Sequence, residues 1–205
     1  EDVTAGVGVC LSPLIRTLAE RGRCDLGMVP LAWIPASLGG ALRTNAGAQG
    51  SAIGDFVLEV RGLRLDGSPW RAAGSDIVWS YRHSSLPEDV IVTAVRLRCG
   101  AATPAAARER LDATGAWRRS VQPPGRSAGC TFRNPAAGPA GRWLDEAGCK
   151  GLRRGSLVVS AQHANFIINE APAASEAAMR DLVEACRERV RERFGVTLED
   201  EICWC

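Results

Sequence analysis

Apolar and polar residues change their spacing several times along this 205-residue chain, and each change marks a new element. The opening Glu1-Asp2-Val3-Thr4-Ala5-Gly6-Val7-Gly8-Val9 reads as a strand. Ser12-Pro13 then supplies an N-cap followed by proline at the first helical position. Leu14, Ile15 and Leu18 form one face of that helix, and Gly22 is its C-cap. Strand alternation returns from Phe56 to Leu65, where Asp66-Gly67 makes a turn, and again from Asp89 to Leu97. Thr103-Pro104 opens a helix rich in alanine and arginine that runs toward Trp117. The proline-rich Gln122-Pro123-Pro124-Gly125 follows, and a boundary is expected near residue 100. Trp143 to Ala147 predicts a helix stopped by Gly148, and Leu157–Val159 and Phe166–Ile168 predict strands. Ser175 to Phe194 carries the most regular helical pattern: Met179, Leu182, Cys186 and Val190 share a stripe opposite charged residues, and Gly195 follows. Leu198 to Cys203 predicts a final strand. There is no internal repeat.

Bulk properties narrow the function classes. With 46% hydrophobic residues the chain is long and apolar enough to bury a core. A net charge of +2 with scattered arginines argues against a nucleic-acid groove, while leaving room for a local phosphate pocket. Lys150 is the only lysine. The eight cysteines are irregularly spaced, and Cys10, Cys24, Cys99, Cys149 and Cys186 read as reduced packing residues. Cys203-Trp204-Cys205 lacks the second pair or neighbouring histidines that a zinc site requires, so no metal is expected. No apolar run approaches the roughly 20 residues that span a bilayer. No signal peptide is expected either, so the chain reads as cytoplasmic, with no membrane partner.

Three segments carry candidate chemistry. Residues 34–50 are unusually rich in small side chains. They either pack a short helix closely against neighbouring backbone or leave backbone N–H groups open to a phosphate or a flat cofactor. Ser80-Tyr81-Arg82-His83-Ser84-Ser85 is a polar cluster at the end of a short helical piece, either a solvated loop or part of a site. Ser127-Ala128-Gly129-Cys130 places a thiol on a glycine turn at the mouth of a strand. A thiol ordinarily titrates near ~8.5, so at neutral pH it can donate a proton as well as attack. A buried packing cysteine is the competing reading.

The ordered motifs Ile-Pro-x-Ser-x-Gly-Gly-Ala-x-x-x-Asn-Ala-Gly-Ala (34–48), Tyr-Arg-x-Ser (81–84), Gln-Pro (122–123), Ser-Ala-Gly-Cys-x-Phe-x-Asn-Pro (127–135), Ala-Gly-x-Lys-Gly (147–151), Val-Ser-x-x-His-Ala-Asn-Phe-Ile-Ile-Asn (159–169) and Leu-Glu-x-Glu-Ile (198–202) occur together. In this the chain resembles the UDP-N-acetylenolpyruvoylglucosamine reductase (UDP-N-acetylmuramate dehydrogenase) family, from about residue 4 to the end. The resemblance implies an α+β fold. A partial FAD-binding domain of the vanillyl-alcohol-oxidase-like type over 1–100 would lack its first subdomain, and an α/β substrate domain would follow over 101–205. It implies FAD as cofactor, NADPH as reductant and UDP-N-acetylglucosamine enolpyruvate as substrate, in peptidoglycan precursor synthesis, by a monomer.

Residue by residue, the resemblance makes Cys130 the proton donor. Arg82 would hold the substrate carboxylate and the developing enolate, and Glu201 would complete the polar set, with Glu199 as its alternative. Ile34, Pro35, Ser37, Gly39, Gly40, Asn45, Ala46 and Gly47 would lie along the flavin. Tyr81, Arg119, Gln122, Asn134, His163 and Asn165 would meet the substrate, the last two with structural roles as the alternative. The sequence departs from the family at Ala36, where the third residue of Ile-Pro-Gly is expected, and at Asp25–Pro30, where Gly-Leu-Glu is expected. A Gly-x-Gly-Ser-Asn pyrophosphate loop, which the family carries ahead of this region, is absent. An N-terminally incomplete reductase is therefore expected, with a UDP-sugar binding module without redox activity as the alternative.

Overall fold

The computed structural model describes residues 2–204. Glu1, at the head of the expected first strand, and Cys205, in the terminal Cys-x-Cys, lie outside the described residues. The chain forms two compact units that divide between Ala116 and Trp117.

In the first unit β1 (Asp2–Gly6) leads into α1 (Leu11–Glu20). Cys10, not Ser12, occupies the cap position, since the Leu11 N–H already bonds to Ala36 O at 2.9 Å and helical geometry starts there. Pro13 consequently falls within the first turn, where no intrahelical N–H is required. A 3-10 turn (Val29–Trp33) precedes α2 (Leu38–Arg43), and β2 (Gly47–Ala48) and β3 (Ser51–Ala52) form a small hairpin. A second 3-10 turn (Ile53–Phe56) enters β4 (Val57–Arg64), which turns through Gly67 (φ 84°) into β5 (Pro69–Ala73).

Residues 80–85 do not end a helical piece. The helical turn is Gly74–Asp76, and the polar cluster is a hairpin of β6 (Trp79–Ser80) and β7 (His83–Ser84). The reason is Trp79. Its indole Nε1 donates to Gly74 O at 3.0 Å, and its ring lies so close to Gly54 that a Cβ there would sit 2.6 Å away. After β8 (Val90–Arg98) the main sheet is complete, antiparallel in the order β1-β8-β4-β5. Val57, Val60, Val95 and Leu97 of this sheet share a core with Leu11, Ile15, Leu38 and Leu42 of the two helices. Helix α3 (Pro104–Val121) is capped by Thr103 Oγ1, which accepts from Ala106 N–H at 3.2 Å. Its buried Ala107, Leu111, Thr114 and Gly115 follow helical spacing, and the division between the units falls inside this helix.

The second unit contains α4 (Ala140–Glu146), then β9 (Arg153–Arg154), β10 (Leu157–Val159) and β11 (Ile167–Asn169), and finally α5 (Glu176–Phe194). The strands pair antiparallel in the order β11-β10-β9. Helix α5 follows its sequence pattern closely. Ser175 Oγ accepts from Ala178 N–H at 3.1 Å, Gly195 ends the helix at φ 69°, and Leu182, Val183, Cys186 and Val190 are buried. They pack with Phe132, Leu144, Cys149 and Val159. The final segment, by contrast, is not a strand. Between Leu198 and Cys203 only Asp200 makes a bridge, to Phe132, and the chain is otherwise irregular. The mixture of helices with antiparallel sheets makes the fold α+β.

Truncation of Leu182, fully buried on α5, tests this packing. Leu182→Ala is expected to destabilise the second unit by about 2–5 kcal/mol. A denaturant titration followed by far-UV circular dichroism reads the shift, and Met179→Ala, at a half-buried position, is expected to cost less.

Candidate functional site

Each unit brings a set of the sequence-selected residues together. In the first unit the centre is Asn45, 8% exposed, with the unusual φ of 41°. Its Nδ2 donates to Ser80 O at 3.0 Å and its Oδ1 accepts from Gly54 N–H at 3.0 Å. The amide therefore ties the small-residue segment to the base of the β6–β7 hairpin. Tyr81 and Arg82 form the tip. Tyr81 is 52% exposed, and Arg82 sits at φ 54°, a conformation that L residues adopt at some energetic cost. The Arg82 guanidinium lies 5.2 Å from the Tyr81 ring centroid, and its Nη1 reaches Gly47 O at 3.5 Å.

Arg43 anchors the end of this hairpin and the segment that follows it, and sequence reasoning missed it. Its guanidinium donates to Leu86 O (2.9 Å), Pro87 O (2.8 Å) and Val90 O (2.5 Å), while its own carbonyl accepts from Ser84 Oγ at 3.1 Å. A lone arginine in a run of glycine and alanine is the only signal the sequence offered.

The small-residue segment resolves toward close packing with one open face. Leu38, Ala41 and Leu42 are buried, while Pro35, Ser37 and Gly40 are exposed and Ile34, Ala36, Gly39 and Gly47 are half-buried. The N–H groups of Ala36, Leu38, Gly39 and Gly40 are spent on Ile34 O, Val9 O, Val7 O and Ser37 Oγ. A Cβ on Gly39 would stand 3.1 Å from Val7 Cβ. These amides are therefore not a phosphate cradle. What remains is a surface poor in side chains, which suits a flat ring laid across it.

In the second unit Cys130 follows Gly129 (φ 85°) and makes a single bridge to Phe166. The next residues are gripped from two sides. On one side, Thr131 N–H donates to Asn165 O at 2.8 Å. The Asn165 side chain then accepts from Phe132 N–H at 2.9 Å and donates to Phe132 O at 2.8 Å. On the other side, Arg133 N–H donates to Glu199 O, and Glu201 N–H donates to Thr131 O, both at 2.8 Å. Glu201 is thereby bonded to the residue beside Cys130. Asn165 is 1% exposed and its amide is engaged at both ends, so the structure gives it a positioning task.

An open cleft of about 420 Å³ brings Cys130, Asn134, His163 and Asn165 together with Lys150 and Gln162. Asn134 Oδ1 accepts from Ala140 N–H at 2.9 Å, fixing the start of α4. His163 stands edge-on to Phe166 with centroids 4.9 Å apart, and its Nδ1 accepts from Asn165 N–H at 3.2 Å. That bond assigns the neutral tautomer with its proton on Nε2. Burial is the main cause that holds the His163 pKa below its ordinary value; a backbone hydrogen bond opposes the shift and the Lys150 charge adds to it.

At the end of α3, Gln162 Nε2 donates to Arg119 O (3.4 Å) and Ser120 O (3.1 Å), and Arg118 Nε donates to Gln122 Oε1 at 2.9 Å. Burial lowers the Arg118 pKa, and the charge of a Cys130 thiolate counters that shift, which puts this cation within electrostatic reach of the sulfur. Neither Arg118 nor Gln162 stood out in the sequence, where each is one polar residue among several. Among the described residues no group of three or more His, Cys, Asp or Glu could hold a metal ion, and no helix is long and apolar enough to cross a membrane.

Two outcomes are expected. Asn165→Leu leaves the buried N–H and C=O of Phe132 without their partner, at a cost of about 1–3 kcal/mol each, read as a shift in the unfolding midpoint. For His163, the unfolded chain binds the proton more readily than the folded one. Stability therefore falls as pH drops below about 6.5 and on through the depressed folded value. Urea titrations between neutral and mildly acidic pH are expected to show this fall, and His163→Gln is expected to reduce it.

Comparison with known proteins finds matches in both halves of the chain. The FAD binding domain family model matches residues 1–73, and the model of the UDP-N-acetylenolpyruvoylglucosamine reductase C-terminal domain matches residues 121–205. The UDP-N-acetylenolpyruvoylglucosamine reductase of Methylorubrum extorquens is 39% identical over 98% of this chain and 65% of its own length. That of Cereibacter sphaeroides is 40% identical over 98% of this chain and 68% of its own. The crystal structure of the Thermus caldophilus enzyme superposes with a TM-score of 0.85 at 35% identity, covering 97% of this chain and 71% of that one. The chain thus spans about two thirds of the length of the relatives it matches. Its fold is a partial FAD-binding domain followed by the family's C-terminal domain, and the chain belongs to the UDP-N-acetylenolpyruvoylglucosamine reductase family.

Proposed function

We propose that the protein reduces the enolpyruvyl group of UDP-N-acetylglucosamine enolpyruvate to give UDP-N-acetylmuramate, a step of peptidoglycan precursor synthesis in the cytoplasm. Residues 1–100 serve the flavin and residues 101–205 the UDP-sugar. FAD, when bound, supplies the hydride and is itself reduced by NADPH. The exposed face of Pro35, Ser37 and Gly40, with Ile34, Ala46 and Gly47 beside it, would hold the flat ring by contact.

The chemistry then asks two things of the chain's own residues. Hydride addition to an unsaturated acid drives negative charge onto its carboxylate, so a fixed cation must meet that charge. Arg82 takes this task, since its planar fork suits a carboxylate and it stands at the tip of the hairpin beside the Tyr81 ring. The neighbouring carbon must also gain a proton. Cys130 donates it from the thiol, and Glu201 completes the polar set around the reacting carbons. Asn134, Gln122, Arg119, Tyr81 and His163 line or support the UDP-sugar. The observation that carries the reading is the two-sided grip on Thr131 and Phe132, which fixes a thiol on a glycine turn next to the backbone of Glu201.

Single-turnover oxidation of the reduced flavin by substrate tests this. Cys130→Ala is expected to slow the reaction by about 10²–10⁴-fold, the usual worth of a positioned acid, and Cys130→Ser to retain more of the rate. An unchanged rate in Cys130→Ala removes the proton-donor role. A second reading, UDP-sugar binding without redox chemistry, draws on the spent amides of residues 36 and 38–40. It predicts protein that binds UDP-N-acetylglucosamine in a titration yet shows no flavin absorbance near ~450 nm on purification.

A further inference from the structure

We propose that Arg187, Asp200 and Trp204 form a lock that sets the register of the last segment, so that Glu201 and not Glu199 stands beside Thr131. The inference deepens the reading of Glu201 as part of the reacting set and rests on it for its catalytic meaning.

The segment has little backbone order of its own. It makes one bridge, Asp200 to Phe132, and the N–H groups of Glu201 (2.8 Å) and Ile202 (3.5 Å) both point at Thr131 O. Two amides on one carbonyl is the pattern of a β-bulge, a device that re-aims a side chain and ends pairing. With the bond from Arg133 N–H to Glu199 O, these are backbone contacts that an extended chain can also form in a shifted register. A shift of one residue would turn Glu201 to the opposite face, and a shift of two would bring Glu199 into its place. Backbone bonding alone distinguishes these registers poorly, because Glu199 and Glu201 are identical side chains on a similar local sequence.

Side chains supply the missing specificity. Both oxygens of the Asp200 carboxylate are used: Oδ1 accepts from Arg187 Nη2 at 2.5 Å and Oδ2 accepts from Trp204 Nε1 at 2.8 Å. Arg187 also donates from Nε to Leu198 O at 3.1 Å, so one guanidinium spans residues 198 to 200 around Glu199. Its Nη1 pairs with Glu184 on its own helix, and its Cζ lies 5.7 Å from the Phe132 ring centroid. The Arg187 and Asp200 side chains are only 21% and 23% exposed, so solvent screening of their pair is limited. One face of α5 provides a second anchor, for Arg180 Cζ sits 4.1 Å over the Trp204 ring. A slip by two residues would set Ile202 or Leu198 opposite Arg187, where no carboxylate could receive it. Arg187, Asp200 and Trp204 are positioning residues and need not touch substrate.

Amide hydrogen exchange on the full chain reads the register directly. Arg187→Lys and Asp200→Asn both keep the approximate shape of the site. Each is expected to speed exchange at the Glu201 N–H by at least about tenfold while the buried α5 amides of Val183 and Val190 keep their rates. In flavin-loaded protein the single variants are expected to lower kcat with little change in KM for the UDP-sugar. Unchanged protection at Glu201 in both variants, or a parallel loss along α5, overturns the lock. Glu201→Gln separates the two claims: full turnover in that variant ends the catalytic reading of Glu201, while the exchange result still decides the lock.

Discussion

The bonding of Thr131 and Phe132 is the constraint on which the candidate site depends. These two residues have no place in the regular ladders of the second unit, yet both are almost fully buried. Buried backbone groups need partners, and a backbone pair deprived of them would cost several kcal/mol. Asn165 satisfies Phe132 with a side-chain amide that mimics a neighbouring strand, and the last segment of the chain supplies the rest from the other side. The result is a short stretch pinned between two flanks, with the half-buried Cys130 at one end. A thiol held in this way can be presented to a ligand without a strand to carry it.

The first unit uses a related device. A buried asparagine, Asn45, joins a segment of small residues to a hairpin, and Arg43 fills three backbone carbonyls in the segment that follows that hairpin. Polar side chains replace ladder hydrogen bonds at both places where function is proposed. This arrangement suits irregular backbone, which can put Arg82 or Cys130 at angles that a flat sheet does not offer. The corresponding demand is that each polar partner be satisfied, since a half-filled buried network destabilises more than an apolar one.

Sequence periodicity revealed those parts of the fold whose burial is periodic. Helix α5 was legible because an apolar stripe, a serine cap and a terminal glycine all agree, and β4 and β8 because their alternation spans many residues. The start of α1 was misplaced at Ser12 because a bond from Leu11 to Ala36, distant in sequence, decides it. The last segment looked like a strand because its composition is right for one. What holds it is Arg187 on Asp200, thirteen residues apart, and no local pattern encodes that pairing. The small-residue run admitted two readings because composition does not say where backbone amides point. Cys130 and Arg82 became candidates through ordered motifs, while the contacts of Arg43, Arg118 and Gln162 were not legible because their partners meet only when the chain is folded.

The central claim is that Cys130 supplies a proton to the carbon next to the site of hydride addition. The most direct measurement is the separation between Cys130 Sγ and the enolpyruvyl carbons in a crystal structure of the flavin-loaded protein with its UDP-sugar bound. The account predicts the sulfur within about 3–3.5 Å of the carbon to be protonated, the reach of a near-attack arrangement. A sulfur turned away from the ligand, with another acidic group at that carbon, would contradict it.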